Sequence, residues 1–238
     1  MESQGYTWIW GDSQSPPIGD PWRFRCVDKD GYFTVRQSLQ AQGSIHAVAE
    51  NALDVPHTAF LHVGLFRGDS KTQEITCRMV RRHDQVACEY VGETRPSGLV
   101  GWLLAPSGGV VRHFDRFYLP SVVEVEYALG ESHILVNACL SPLSDHLTAL
   151  HAVVSVKTRI PGWLLRPLVK PIALRIFNQD RRILKLQTNS LAHGHGARFV
   201  STELDVLGPQ ILRLLRQAAN GKLDDPDTQV CRDSVMRI

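Results

Sequence analysis

Residues 122–157 read VVEVEYALGESHILVNACLSPLSDHLTALHAVVSVK, and this stretch decides the fold. Apolar and acidic residues alternate from Val122 to Tyr127, the period of a strand with one apolar face and one wet face. Three strands follow from the pattern, Val122–Leu129, His133–Leu140 and Leu147–Lys157, punctuated by Gly, Ser, Pro and Asp. Upstream, Glu74–Arg81, Val86–Val91 and Val110–Tyr118 carry the same signature, and Phe33–Gln37 reads as a further strand. The short spacing predicts an antiparallel meander. Downstream of Pro161 the period changes to that of a helix. Pro167 and Pro171 limit its first part, which predicts a long helix from about Ile172 to Leu191. A second helix is expected from Thr202 or Leu204 to about Ala219, with Ile211, Leu214 and Leu215 on its apolar side and Gly221 as its stop. With a helical segment between Val48 and His62, the order is helix, antiparallel sheet, two helices: an α+β domain.

Composition narrows the function. The 238 residues are 43% hydrophobic and 21% charged, which excludes a disordered chain. Twenty-six basic residues against 24 acidic ones give no electrostatic footprint for nucleic acid. The longest uncharged run, Pro96 to Val111, is broken by glycines and prolines and is shorter than the ~20 apolar residues of a membrane span. Cys26, Cys77, Cys88, Cys139 and Cys231 are scattered and form no CxxC, so neither a disulfide framework nor a thiolate zinc site is expected, and a cytoplasmic setting is. No secretory leader is visible at the start. There, Tyr6, Trp8 and Trp10 alternate as a strand with nothing local to pair with, followed by a linker to about Pro21. Residues 222–238 read as a charged, loose tail.

Two segments carry chemistry. In Glu50-Asn51-Ala52-Leu53-Asp54-Val55-Pro56-His57-Thr58-Ala59-Phe60-Leu61-His62, Asp54 and His57 share a helix face. His57 and His62, five apart, lie ~140° apart on an ideal helix. One ion could join them only across a π-type turn, which Pro56 gives reason to expect; two unrelated histidines fit the segment equally well. In the second segment, Ala173, Phe177, Asp180, Leu184 and Gln187 fall on one helical stripe, with Asp180 in its middle. A carboxylate among apolar neighbours takes a proton, pairs with a cation or binds a metal; a slightly rotated helix would instead bring it to an arginine at the edge. Two imidazoles and one carboxylate form the ligand set of ferrous oxygenases, and zinc uses a similar set.

Taken together, the two segments resemble the catalytic domain of Rieske non-haem iron oxygenase alpha subunits of the vanillate demethylase and phthalate oxygenase type. The family's N-x-x-D-x-x-H-x-x-x-x-H helix is matched by Asn51, Asp54, His57 and His62, and its later Q-D motif by Gln179-Asp180, Ile183-Leu184 and Gln187. The resemblance covers roughly Tyr32 to Ala219. It implies a helix-grip (START-like, SRPBCC) fold over residues 22–221, a curved antiparallel sheet packed on the long C-terminal helix. It also implies a mononuclear Fe(II) held by His57, His62 and Asp180, with Asp54 linking the iron to its electron source and Asn51 nearby. The activity implied is oxygenation with O2: hydroxylation or demethylation of a small aromatic or alicyclic compound, in a homotrimer served by Rieske, ferredoxin and reductase partners. YTWIWGD at Tyr6–Asp12 looks like the last strand of the family's Rieske domain, making residues 1–21 a remnant of it. A [2Fe-2S] Rieske cluster takes two Cys and two His, and none of the five cysteines has a histidine two or three positions on. The cluster is therefore expected from a partner or from a longer protein, and this chain is expected to be inactive without it.

Two other classes stand beside this one. A helix-grip domain also serves as a non-enzymatic carrier of hydrophobic ligands, against which the retained ligand set argues. A zinc hydrolase would need a general base that no residue obviously supplies. His193 and His195 read as part of an exposed Gly-rich loop, and His46, His83, His113, His133, His146 and His151 as surface or hydrogen-bonded histidines. The basic, apolar run from Pro161 to Phe177 is assigned to packing or a subunit interface rather than to a membrane surface.

Overall fold

The computed structural model describes residues 1–62 apart from 12 and 18, then 74–94, 111–193 and 200–237. The chain order is β1 (Glu2–Ser3), β2 (Tyr6–Thr7), β3 (Phe33–Gln42), α1 (Ile45–Ala52), α2 (Val55–Leu61), β4 (Glu74–Arg81), β5 (Gln85–Val91) and β6 (Val111–Tyr118). It continues with β7 (Val122–Leu129), β8 (Ser132–Ser144), β9 (Leu147–Lys157), α3 (Gly162–His193), α4 (Gly208–Ala219) and β10 (Val230–Arg237). Among the described residues, eight strands form one sheet in the order β10-β4-β5-β6-β7-β8-β9-β3, antiparallel at every junction. The expected α+β meander is present, and α3 packs against the edge strand β3.

Register assigns the faces. Asp115, Val125, Val136, Val154 and Val35 form one row across β6, β7, β8, β9 and β3, all lining a cavity between sheet and helices. The alternate residues of β7, Glu124 and Glu126, face away. The expectation that this outer face is wet fails at Glu124, which is 0% exposed. Arg25, Arg116 and Asn137 all hydrogen-bond its carboxylate, and a buried carboxylate requires such partners. Arg25 belongs to the N-terminal segment, whose Phe24 and Val27 cover Val153 on the same face together with Tyr6, Trp8 and Trp22.

Three further expectations are corrected. The first aromatic strand does have a local partner: Gln4 and Gly5, both at positive φ, fold Tyr6–Thr7 back onto Glu2–Ser3. The long helix starts ten residues before Ile172, at Gly162, and runs through both prolines. Pro167 and Pro171 are exposed there, so water can meet the carbonyls that lose their donors. Residues 230–237 are not a loose tail: they pair along β4 from Val230↔Arg81 to Arg237↔Glu74, with Arg232, Asp233 and Arg237 placing charge on the sheet edge. Arg81, 3% exposed, ties this end of the sheet to Asp224.

The core gathers Leu53, Ile75, Phe117, Leu184, Ile211 and Leu214 between the sheet and α1, α3 and α4. Gly208 permits α4 to meet α1, because a β-carbon there would fall 2.0 Å from Glu50 Oε1. The Gly208 carbonyl also accepts from His46 Nε2 at 2.9 Å, which ties α4 to α1. No described helix is long and apolar enough to cross a membrane.

Candidate metal centre

Asp54 breaks the expected helix in two. Leu53 caps α1 through its N–H, and Asp54, extended at φ −95° and ψ 98°, starts α2 by accepting from His57 N on Oδ2 at 3.1 Å. Pro56 therefore lies in the first turn of α2, where a missing N–H costs nothing, and it distorts no helix interior. The expected π-type turn is absent for that reason. His62 reaches His57 by another route: it is the C-cap of α2, at φ −102° and ψ 40°, so it has already left helical geometry. The two ring centroids lie 5.2 Å apart.

Asp180 arrives from α3. Its stripe faces inward as the period required, between Phe177 and the 2%-exposed Leu184, while Arg181 and Arg182 are exposed. Asp180 Oδ1 lies 3.2 Å from His62 Nε2 and 3.6 Å from His57 Nε2, and one donor atom from each residue fits within 4.8 Å of the others. Metal–nitrogen bonds of ~2 Å make such a spacing reachable by a single ion.

The hydrogen bonds behind these atoms fix their roles. His62 Nδ1 donates to Gln179 Oε1 at 2.9 Å, and His57 Nδ1 donates to the carbonyl of Asp54. A neutral imidazole that donates from Nδ1 presents a lone pair at Nε2. Both Nε2 atoms face Asp180 Oδ1, which is buried and makes no hydrogen bond of proper geometry. Three lone-pair donors thus converge, and only a cation or a proton relieves them; the donor set fits a metal. A proton can take the cation's part: burial opposes the charge on His57, but Asp180 and Asp54 outweigh it and raise its pKa to about 9. Burial likewise works against the Asp180 carboxylate, and the two histidines overcome it and hold the pKa below the usual value.

These side chains line one wall of a cavity of about 310 Å³, a size suited to a small organic molecule. Asn51 and Asp54 also line it; Asp54 Oδ2 stands 3.5 Å from His57 Nδ1. The remaining wall is mostly aliphatic, from β3, β7, β8, β9 and α3. His113 and Asp115 interrupt it. His113, expected to be a surface or hydrogen-bonded histidine, is 1% exposed and bonded at both nitrogens. The alternation Val111, His113, Asp115, Phe117, two polar groups on an apolar strand face, is the signal that marks it. Gln179 has no role legible from the motif, since a helical period cannot say which neighbour it reaches. His193, expected in a loop, is the last residue of α3, and His195 lies outside the described residues.

A family model described as the vanillate O-demethylase oxygenase C-terminal domain matches residues 42–221. No curated protein matches. Among solved structures, the NdmA QL mutant of Pseudomonas putida CBB5 with theobromine superposes with a TM-score of 0.65 at 16% identity, over 90% of this chain and 60% of that one. NdmB of the same organism gives 0.64 at 15% identity, over 90% and 60%. Dicamba monooxygenase bound to dicamba gives 0.74 at 14% identity, over 89% and 66%. At these identities the likeness establishes the fold. The chain spans about 60% of the length of the NdmA chain that it matches.

Proposed function

Since the chain belongs to the vanillate O-demethylase oxygenase C-terminal domain family, we propose that it is the catalytic domain of a Rieske-type oxygenase. In this reading His57, His62 and Asp180 hold one ferrous ion, and the cavity beside them holds a small aromatic or alicyclic substrate for monooxygenation or demethylation. The observation that carries it is the convergence of His57 Nε2, His62 Nε2 and the hydrogen-bond-deficient Asp180 Oδ1. A ferrous ion with open positions supplies the oxygen activation that no side chain can. The chain's own part is to orient and exclude. Gln179 and the Asp54 carbonyl hold the two rings by their Nδ1–H groups, and the aliphatic wall keeps water from the substrate. The solved relatives with theobromine and with dicamba hold compact ring molecules, which supports the size argument.

A [2Fe-2S] Rieske centre outside the described residues would supply the electrons, and Asp54, which caps α2 beside His57, is the residue placed to link it to the site. A homotrimer would bring a neighbour's cluster to this site, and a reducing cytoplasm suits the chain's free thiols. For an aryl methyl ether the balance is one ether, O2, NADH and H⁺ to one phenol, formaldehyde, NAD⁺ and water. The test is formaldehyde release from methoxylated aromatics by the ferrous-loaded chain. Release that requires an added Rieske protein with its reductase supports the reading. No iron uptake, with aromatic ligands still bound, would make the chain a carrier; NADH-driven turnover with reductase alone would contradict the electron path.

A further inference from the structure

His113 and Asp115 point from β6 into the cavity as its polar floor. His113 Nδ1 lies 2.7 Å from Glu93 Oε2, and its Nε2 lies 2.9 Å from Asp115 Oδ1. The ring stacks on Tyr127 with centroids 3.9 Å apart and is flanked by Tyr90 at 4.8 Å, so it cannot swing away from Asp115. The cluster is deeply buried: His113 is 1% exposed and Asp115 2%. Two carboxylates share one imidazolium, which leaves the group with an excess of one negative charge on an aliphatic wall. Burial resists that charge and raises the Asp115 pKa above its usual value, while His113 counters in part. Among the described residues that line the cavity, the cation other than a histidine is Lys170, which is exposed.

We propose that Asp115 is the polar anchor of the substrate, selecting molecules that carry an ammonium, N–H or O–H group and disfavouring those that carry a carboxylate. His113, clamped by Glu93 and the tyrosine rings, is the positioning residue that aims the Asp115 carboxylate. This rests on the reading of the cavity as the substrate site. A carboxylate in low dielectric gains most from a charged or donating partner and loses most to a like charge. One cavity can therefore hold an apolar ring by area and still sort its substituents by charge.

Equilibrium binding tests this apart from turnover. Three probes of similar shape are titrated calorimetrically into the chain, without iron and with ferrous ion under anaerobic conditions: 4-methoxybenzylamine, 4-methylanisole and 4-methoxybenzoate. The amine is expected to bind at least about tenfold more tightly than the benzoate, with 4-methylanisole between them. Asp115→Asn should weaken the amine at least about tenfold and raise the benzoate, leaving 4-methylanisole where it was. Should that variant fail to fold, the ranking by the parent chain decides. A benzoate preference would assign selection to Lys170 and overturn the proposal, as would equal or absent affinity for all three. A chain that ranks the probes as expected yet never releases formaldehyde keeps the anchor and loses the oxygenase reading.

Discussion

Gln179 Oε1 accepts a hydrogen bond from His62 Nδ1 at 2.9 Å, while the next residue, Asp180, faces the other nitrogen of the same ring at 3.2 Å. Two consecutive residues of α3 thus set both ends of one imidazole: one fixes the tautomer, and the other joins it at the candidate metal position. Outer partners of this kind are worth ~10–100-fold in metal affinity. Gln179→Leu should lower ferrous affinity by that order, read by competition with a chromogenic chelator, with the thermal midpoint nearly unchanged. Unchanged affinity would show that His62 needs no orienting partner.

Substitution separates the cap that Asp54 makes from its proposed part in electron delivery. As the N-cap of α2 it accepts from His57 N, so Asp54→Ala should cost about 1 kcal/mol in urea unfolding, whereas Asp54→Asn, an equally good cap, should cost a few tenths at most. Turnover with an added Rieske protein should fall in both variants, because both remove the charge beside His57. Full turnover in Asp54→Asn would leave Asp54 with the cap alone.

The parts of the molecule that follow from periodicity were legible in the sequence. Strands Glu74–Arg81, Val122–Leu129 and Leu147–Lys157 have the bounds that their alternation predicts, and Asp180 faces inward because Phe177 and Leu184 do. Partners distant in sequence were not legible. Val230–Arg237 carries too much charge to read as a strand, and only its pairing with β4 makes it one. Glu124 looked solvated because Arg25, 99 residues away, is its cover. At the site, residue types and chain order were readable, but the means of meeting was not: Pro56 suggested a bulge, whereas the chain uses an Asp cap before the proline and a C-cap histidine after it.

The inner stripe of α3 predicts a contrast between neighbours. Leu184 is 2% exposed in the core and Ile183 is 40% exposed. Leu184→Ala should cost ~2–5 kcal/mol, and Ile183→Ala less than about 0.5 kcal/mol, by urea midpoints at constant slope. Equal costs would mean that the helix is rotated from the orientation described.

The buried His113 cluster makes stability fall with alkalinity. Burial opposes the imidazolium, but Asp115 and Glu93 outweigh it and raise its pKa to about 10. A raised histidine contributes fully below its ordinary value of 6.5 and loses that contribution as pH climbs through about 10. The urea midpoint of the parent should therefore drop between pH 8 and pH 10.5 more steeply than that of His113→Gln. Parallel profiles would show that the histidine carries no charge in the folded chain.

The central claim is tested most directly by metal stoichiometry. The chain, purified anaerobically, is equilibrated with ferrous ion, freed of unbound metal and analysed for iron, alongside Asp180→Ala. The expected result is one iron per parent chain and a loss of most of it in the variant, with both proteins folded by circular dichroism. No iron in the parent, or an equal amount in both, would contradict a centre built from His57, His62 and Asp180.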